Sequence, residues 1–527
     1  MAMTETRPAP EAAPTEATPG APALVPPPER PGLAGWFTTS DHKQLGRLYV
    51  LTALVLGVVA TVIGTVVALE GLDEGFDVVD ADVYLQLLTL HREAAIWLFV
   101  VPLLLGLATF VVPIQVGSPD MAFPRGAATA YWTYLVGAGL LLGAYAADGG
   151  PSGADGVAVD LHLLALGMLA GALGLGMLCV LTTALSMRAP GMTLLRVPAF
   201  TWSIVVTAGL TLLGAPVLLA RVIVLFVTHH FGGDYGLADY GDIAWAHSIP
   251  QLYLVAVPAV GVAFEIVPVL VRNRVRHHEA VLVVLGALGI VSIGAWAQVP
   301  GTFDELLYVA IGLAAVVPAL AVVGLLADTA RNGNPVLKVP LLFAGGSALL
   351  LLLGAGAGAL SVIDGLDLRG TVWETGLFHL VVFGAAGLGG LGGLWWWAPK
   401  LYGTTLPDGA GALAFLATFG GTLLVAVATL VNGLAEDVVL APGASSDAGI
   451  QALNVVAVAG SALLVVGLLV ALATAARAAL AGGTGPADPW GGHTLEWATS
   501  SPPVATNFPS AVLAVGSATP LLDEREA

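Results

Sequence analysis

The stretch "TLHREAAIWLFVV", residues 89–101, sets a histidine, an arginine and a glutamate at the mouth of a run that is otherwise greasy enough to cross a bilayer. A transmembrane helix satisfies its own backbone, but an ionisable side chain inside it is expensive and marks a functional position by default. His91 therefore poses two questions, how many such runs the chain contains and what faces this one. Of 527 residues, 57% are hydrophobic and 10% charged, with a mean hydropathy of +0.89, far outside the range of soluble globular chains. Composition alone predicts an all-α, polytopic membrane protein.

Beyond residue 45, mostly apolar spans of ~20 or more residues, the length a helix needs to cross the hydrocarbon core, recur between short polar breaks. They fall near 46–69, 84–116, 127–146, 160–187, 196–228, 245–271, 279–299, 304–328, 337–362, 374–400, 411–434 and 451–482, about twelve transmembrane helices in a membrane domain of residues 36–485. Residues 1–35 open with a Pro-, Ala-, Thr- and Glu-rich stretch that cannot bury enough apolar surface to fold, and are expected to be a disordered cytoplasmic tail. Residues 486–527 are expected to form a cytoplasmic carboxy-terminal tail.

The single cysteine, Cys179, lies in an apolar run, so no disulfide framework or thiolate zinc site is available within the chain. A net charge of −18 with scattered basic residues excludes a nucleic-acid partner. Alternate loops carry Arg125, Arg188 with Arg196, Arg272 with Arg274 and Arg276, Arg331 with Lys338, and Lys400, which the positive-inside rule assigns to the cytoplasm. The intervening loops carry Asp73, Glu74, Asp77 and Asp80, then Asp148 with Asp155, Asp234 with Asp239, Asp304, Asp364 with Asp367, and Glu436 with Asp437. Both termini are then cytoplasmic, in a bacterial plasma membrane.

On that topology the second and tenth helices both run inward, with His91 about seven and His379 about five residues along them, so their imidazoles share a depth on the order of 10 Å below the outer surface. Two histidines at one level suit the axial positions of an iron porphyrin, whose flat apolar ring fits between helices. The plainer alternative is that each one hydrogen-bonds a neighbouring helix.

The flanking sequence resembles subunit I of the haem-copper terminal oxidases, the cytochrome c oxidase family. The resemblance is carried by "FVVPLLLG" (99–106) and "VVPIQVGSPDMAFPR" (111–125) after His91, with Trp132, and by "TTSDHKQLGRLY" (38–49) and "VPAFTWSIVVTA" (197–208). It continues in "FHLVVFG" (378–384), "WWWAPKLYGTTL" (395–406) and "DPWGGHTLEWATSSPPVATNF" (488–508). It covers most of residues 36–508 and implies an oxidase subunit I-like bundle in which His91 and His379 ligate the low-spin haem. The family reduces oxygen at a second, high-spin haem facing a copper held by three histidines, and there this chain departs. Ile249 stands at one copper-ligand position, Gln298 and Val299 at the other two, and Leu377 at the high-spin haem's histidine; none can ligate as those histidines do. Gln251 replaces the proton-relaying glutamate and Val322 the proton-channel lysine, while Tyr253 is retained without its histidine partner.

The haem surroundings differ too. The family's propionate-neutralising arginine pair matches Glu436-Asp437, and its first-helix formyl contact matches Ala68, which favours a b-type over an a-type haem. Arg92 or Arg369 stands at a suitable depth to pair with the propionates instead; the rival for Arg92 is an ion pair with Glu93 or Glu374. His162, His229, His230 and His247 gather near the outer ends of three helices and are expected to be solvated or interfacial rather than metal ligands, and His42 and His493 lie outside the membrane. Trp395, Trp396 and Trp397 beside Lys400 read as an interfacial belt. Asp120 reads as a loop cap, its match to the family's proton entry having no acceptor downstream.

The expected protein carries one low-spin haem and no copper. It moves single electrons between an external donor such as a cytochrome c or a cupredoxin and other membrane redox subunits. The alternatives are a working oxidase subunit and a haem-free scaffold.

Overall fold

The computed structural model describes residues 32–72, 78–248, 251–292, 305–435, 445, 447–508, 510, 512 and 514–527. Among them, eleven helices are long and apolar enough to cross a membrane. We number the bundle α1 His42–Leu69, α2 Ala81–Gln115, α3 Pro124–Ala146, α4 Gly156–Ser186, α5 Ala199–His230 and α6 Leu237–Leu270. Then follow the shorter apolar helix α7 His278–Ile290, and α8 Val309–Arg331, α9 Val339–Ser361, α10 Trp373–Tyr402, α11 Asp408–Leu434 and α12 Ala448–Ala481. The expected seventh span, 279–299, runs past α7 into residues 293–299, which lie outside the described residues, as do most of the tail at 1–35 and positions 249, 298, 299, 436 and 437.

Local chemistry sets the helix starts. Asp41, Asp80, Asp155 and Asp447 each accept a backbone N–H of the first turn of α1, α2, α4 and α12, filling part of the hydrogen-bonding deficit at a helix N-terminus. Pro124 and Pro340 sit in the first turns of α3 and α9, where a missing N–H costs nothing. Gly403, at φ +73°, ends α10 in the left-handed region. Asp120 accepts from the Met121 N–H, the expected loop cap.

Burial sorts the helices into a core and a jacket. α10 is buried along its whole apolar window, α2 and α6 nearly so, whereas α1, α5, α8 and α12 leave most of theirs to the lipid. A methyl group on Gly389 of α10 would meet Ala259 of α6 at 2.3 Å, so glycine sets how closely these two core helices approach.

One expectation is corrected here. Trp395, Trp396 and Trp397 do not form an interfacial belt: all three are fully buried, because α10 is the central helix and its carboxy-terminal end is covered by the segment after α12. That segment is docked onto the bundle. Trp490 donates to the Trp396 carbonyl and stacks on its ring at 5.5 Å, and Gln115 donates to Glu496. Lys400 Nζ donates to the carbonyls of Ala487 and Thr499 at 2.8 and 2.7 Å. Lastly, His42 is buried at the α1 terminus, donating to the Thr109 carbonyl with Asn507 beside its other nitrogen, which puts the start of α1 and the end of the chain at one end of the bundle.

Candidate functional site

His91 and His379 are brought together at the opposite end of the bundle. Their ring centroids are 5.4 Å apart and their planes differ by 24°. His91 Nδ1 donates to the Ala60 carbonyl of α1 at 2.9 Å, and His379 Nδ1 to the Thr375 carbonyl one turn earlier at 2.8 Å. A carbonyl can only accept, so the proton of each neutral ring is on Nδ1 and the lone pair on Nε2, the orientation that a metal-binding imidazole takes from its second hydrogen bond. His91 Nε2 is buried and has no partner among the described residues. The rival reading, two histidines satisfied by neighbouring helices, accounts for the Nδ1 atoms and leaves this nitrogen stranded at a cost of about 1–3 kcal/mol.

The residues fit an axially ligated iron. Two metal–imidazole bonds of ~2 Å and half a ring on each side call for centroids about 6 Å apart, so the pair needs to part by less than about 1 Å. The pair opens on a cleft lined from α1, α2, α10, α11 and α12 by residues that include Gly64, Ala68, Arg92, Val425 and Ser461. Phe383 closes one side, stacking at 5.7 Å on His91 and 5.3 Å on His379.

Two features carried no sequence signal that we recognised. Gly64 is the first: a methyl group there would stand 2.4 Å from His91 Cε1, so α1 admits the imidazole only because it has no side chain at that level. The second is that a π-helical stretch, Leu380–Gly387, follows His379 directly in α10, and another, Ala94–Val100, begins three residues after His91 in α2. Such turns insert an extra residue and re-aim the neighbouring side chains, and they concentrate at functional positions.

Arg92 lines the same cleft. Its Nη2 stands 4.0 Å from a Glu374 oxygen, at the limit of an ion pair, and has no hydrogen-bond partner among the described residues. Arg92 and Glu93 point to different neighbours, so of its two proposed acidic partners only Glu374 is near. Arg369 is engaged with Asp364 at 3.3 Å. Leu377, at the expected position of the second haem's ligand, is buried, as are Val322 and Tyr253.

The outer histidines divide. His230 is exposed as expected and shares the Asp160 carboxylate with His229, at 2.7 and 2.8 Å. His162 and His247 contradict the expectation of solvated rings, being buried against Glu93 and Trp97 respectively. They are hidden because the loop after α5 and the first turns of α6 pack over them, Tyr235 against His162 and Tyr240 against His247, a long-range event that local sequence does not announce. Among the described residues, no group of three or more His, Cys, Asp or Glu is placed to hold a metal ion.

Fold and site together define a multi-pass helical membrane protein with a neighbouring pair of imidazoles on a cleft between its helices. The family model described as cytochrome c and quinol oxidase polypeptide I matches residues 44–463, and the chain belongs to that family. It is 31% identical over 512 residues to a protein of Streptomyces avermitilis named putative cytochrome c oxidase subunit 1-beta, covering 91% of this chain and 90% of that one. A probable cytochrome c oxidase subunit 1-beta of Nocardia farcinica is 31% identical over 536 residues, 94% of this chain and 90% of its own. A haem-copper oxidase subunit I+III of Aeropyrum pernix is 27% identical over 500 residues, 90% of this chain and 61% of that one. Membership makes this a respiratory-chain, electron-transport protein of a haem-binding family.

Proposed function

We propose that the chain holds one low-spin haem, b-type rather than a-type, between His91 and His379, and passes single electrons through it within a respiratory complex, without an oxygen-reducing centre of its own. The observation that carries this is the pair of opposed imidazoles, each with Nδ1 tied to a backbone carbonyl. When bound, the haem supplies one-electron exchange between ferric and ferrous iron. His91 and His379 would both hold the iron, and the group so held would supply outer-sphere electron transfer rather than oxygen chemistry. Arg92, with a buried and unpaired Nη2 in the cleft, offers a charge-assisted hydrogen bond to a propionate, and Ala68 on the cleft wall offers a formyl group no partner. Leu377 and the replaced copper positions support the absence of the second centre and of copper.

The electron partners proposed are an external donor, such as a cytochrome c or a cupredoxin, and another membrane redox subunit. Both termini are placed on the cytoplasmic side of a bacterial plasma membrane. A second reading, a functional oxidase subunit, is favoured by the likeness to proteins named cytochrome c oxidase subunit 1. Pyridine haemochrome spectra and metal analysis of the purified chain separate the two. One b-type haem and no copper support the proposal, two haems with stoichiometric copper support the oxidase, and no haem leaves a scaffold. Substituting His91→Ala or His379→Ala should abolish the low-spin visible bands.

A further inference from the structure

Near the start of α1, Arg47 has a cation's needs and no anion to meet them. Its guanidinium stands over the ring of Phe110 of α2, with Cζ 5.7 Å from the centroid, and its Nε is buried without a hydrogen-bond partner among the described residues. The acid within its electrostatic reach is Asp41, which is committed to Lys43 twice, to the ammonium at 2.9 Å and to the backbone N–H at 3.0 Å. Tyr402, where α10 ends, is also within reach of Arg47. It is 3% exposed, and its hydroxyl is likewise buried and unpartnered among the described residues. A third such atom, Gln44 Oε1, lies one turn before Arg47 on the same face of α1. Buried donors without an acceptor are costly, and a cation with no counter-charge more so. One acceptor group placed between Arg47 and Tyr402 serves both.

The position of the cluster points to what that group is. From Arg47 to Leu69, α1 rises ~33 Å, about the thickness of the hydrocarbon core, which sets Arg47 at the level of the lipid headgroups. Arg47 is half-buried, and Gln44, Leu48, Leu51 and Val55 continue its stripe as half-buried or exposed residues, the face that α1 turns to lipid. We infer that Arg47, Tyr402 and Gln44 bind the phosphate of an anionic phospholipid, at the end of the bundle opposite the His91–His379 pair. The planar guanidinium offers a phosphate two parallel N–H groups, with the Phe110 ring bracing it from behind. The Tyr402 hydroxyl donates to the same group, and the Gln44 amide, turned so that its NH2 faces the ligand, adds a further donor. Basic pockets between membrane helices take lipid headgroups on these grounds. A lipid held there joins the start of α1 to the end of the central helix α10, and none of this depends on the haem reading above.

The test uses the purified full-length chain, delipidated in detergent, and reads thermal unfolding and native mass spectra. Short-chain phosphatidylglycerol is expected to raise the unfolding temperature saturably and to add one tightly held lipid to the spectrum. Arg47→Met keeps the length of the side chain and removes the charge, and should weaken that binding by roughly tenfold or more. Tyr402→Phe removes only a hydroxyl and should weaken it several-fold, which covers the case in which Arg47→Met does not fold. Equal lipid binding and equal stabilisation in the wild type and the folded variants overturn the inference. Inorganic phosphate that stabilises the wild type as well as the lipid does also overturns it, because the ligand is then a free anion.

Discussion

At the scale of single residues, the site is defined as much by what is missing as by what is present. His91 fits against α1 because Gly64 has no side chain, and a methyl group placed 2.4 Å from its ring must push the imidazole or the helix aside. Overpacking of this kind typically costs about 1–3 kcal/mol, and here the strain falls on a ligand. Gly64→Ala is expected to reduce haem occupancy several-fold or to loosen the His91 bond, read as partial conversion of low-spin to high-spin absorption in the purified protein. A fully low-spin, stoichiometric spectrum would count against His91 as a ligand. Arg92→Leu tests the neighbouring charge: losing a cation beside the propionates should lower the midpoint potential or haem retention, and an unaltered titration would refute the pairing.

At the scale of elements, the carboxy-terminal segment is the part of the structure that depends most on buried polar groups. Lys400 is 1% exposed and its ammonium serves the carbonyls of Ala487 and Thr499. Lys400→Met strands both, at about 1–3 kcal/mol each, and should make residues 486–508 susceptible to limited proteolysis while α10 stays intact. His493 adds a pH dependence. Burial, aided by Arg525 and Arg274, depresses its pKa to about 4, below the usual ~6.5 of an unfolded chain. The undocked segment therefore binds the proton more tightly, so docking is strongest above about pH 6.5 and weakens as pH falls through about 4, by at most ~3 kcal/mol. Hydrogen exchange of this segment at neutral and acidic pH should show it loosening in acid, and His493→Asn should flatten the dependence. Much of this element was legible only as a motif: the WGG and TLEWATSSPP sequence identified a family tail, but nothing local says that Trp490 will find Trp396. The membrane helices were legible because lipid imposes length and hydrophobicity on each one separately. The His91–His379 pairing was legible because equal depth follows from counting residues. Burial of His162 and His247, the need for glycine at position 64 and the two π-helical stretches were not, since each is decided by a neighbouring helix remote in sequence.

At the scale of the whole molecule, what remains is which end of the bundle faces which compartment, and this sets the direction of electron flow. The cleft lined by His91 and His379 lies at the end where α2 begins. Gln86, in its second turn, hydrogen-bonds Asp148 after α3, and His229 at the end of α5 pairs with Asp160 at the start of α4. Among the described residues, the loops at this end carry Asp148, Asp155, Asp234 and Asp364, while Arg125, Arg188, Arg274 and the start of α1 lie at the other. If the positive-inside rule governs insertion, the cleft lies on the outer side, within reach of an external donor, and an electron must cross most of the bundle's thickness or leave sideways to a partner subunit. The chain is suited to a direct test because its one cysteine, Cys179, is buried and can be replaced by serine. Asp234 and Asn334 are exposed in loops at opposite ends. With Cys179→Ser as background, Asp234→Cys is expected to react with a membrane-impermeant maleimide added to intact spheroplasts, and Asn334→Cys only after lysis. The opposite labelling pattern would turn the bundle over, put the imidazole pair near the cytoplasm and require an internal donor in place of a cytochrome c or a cupredoxin.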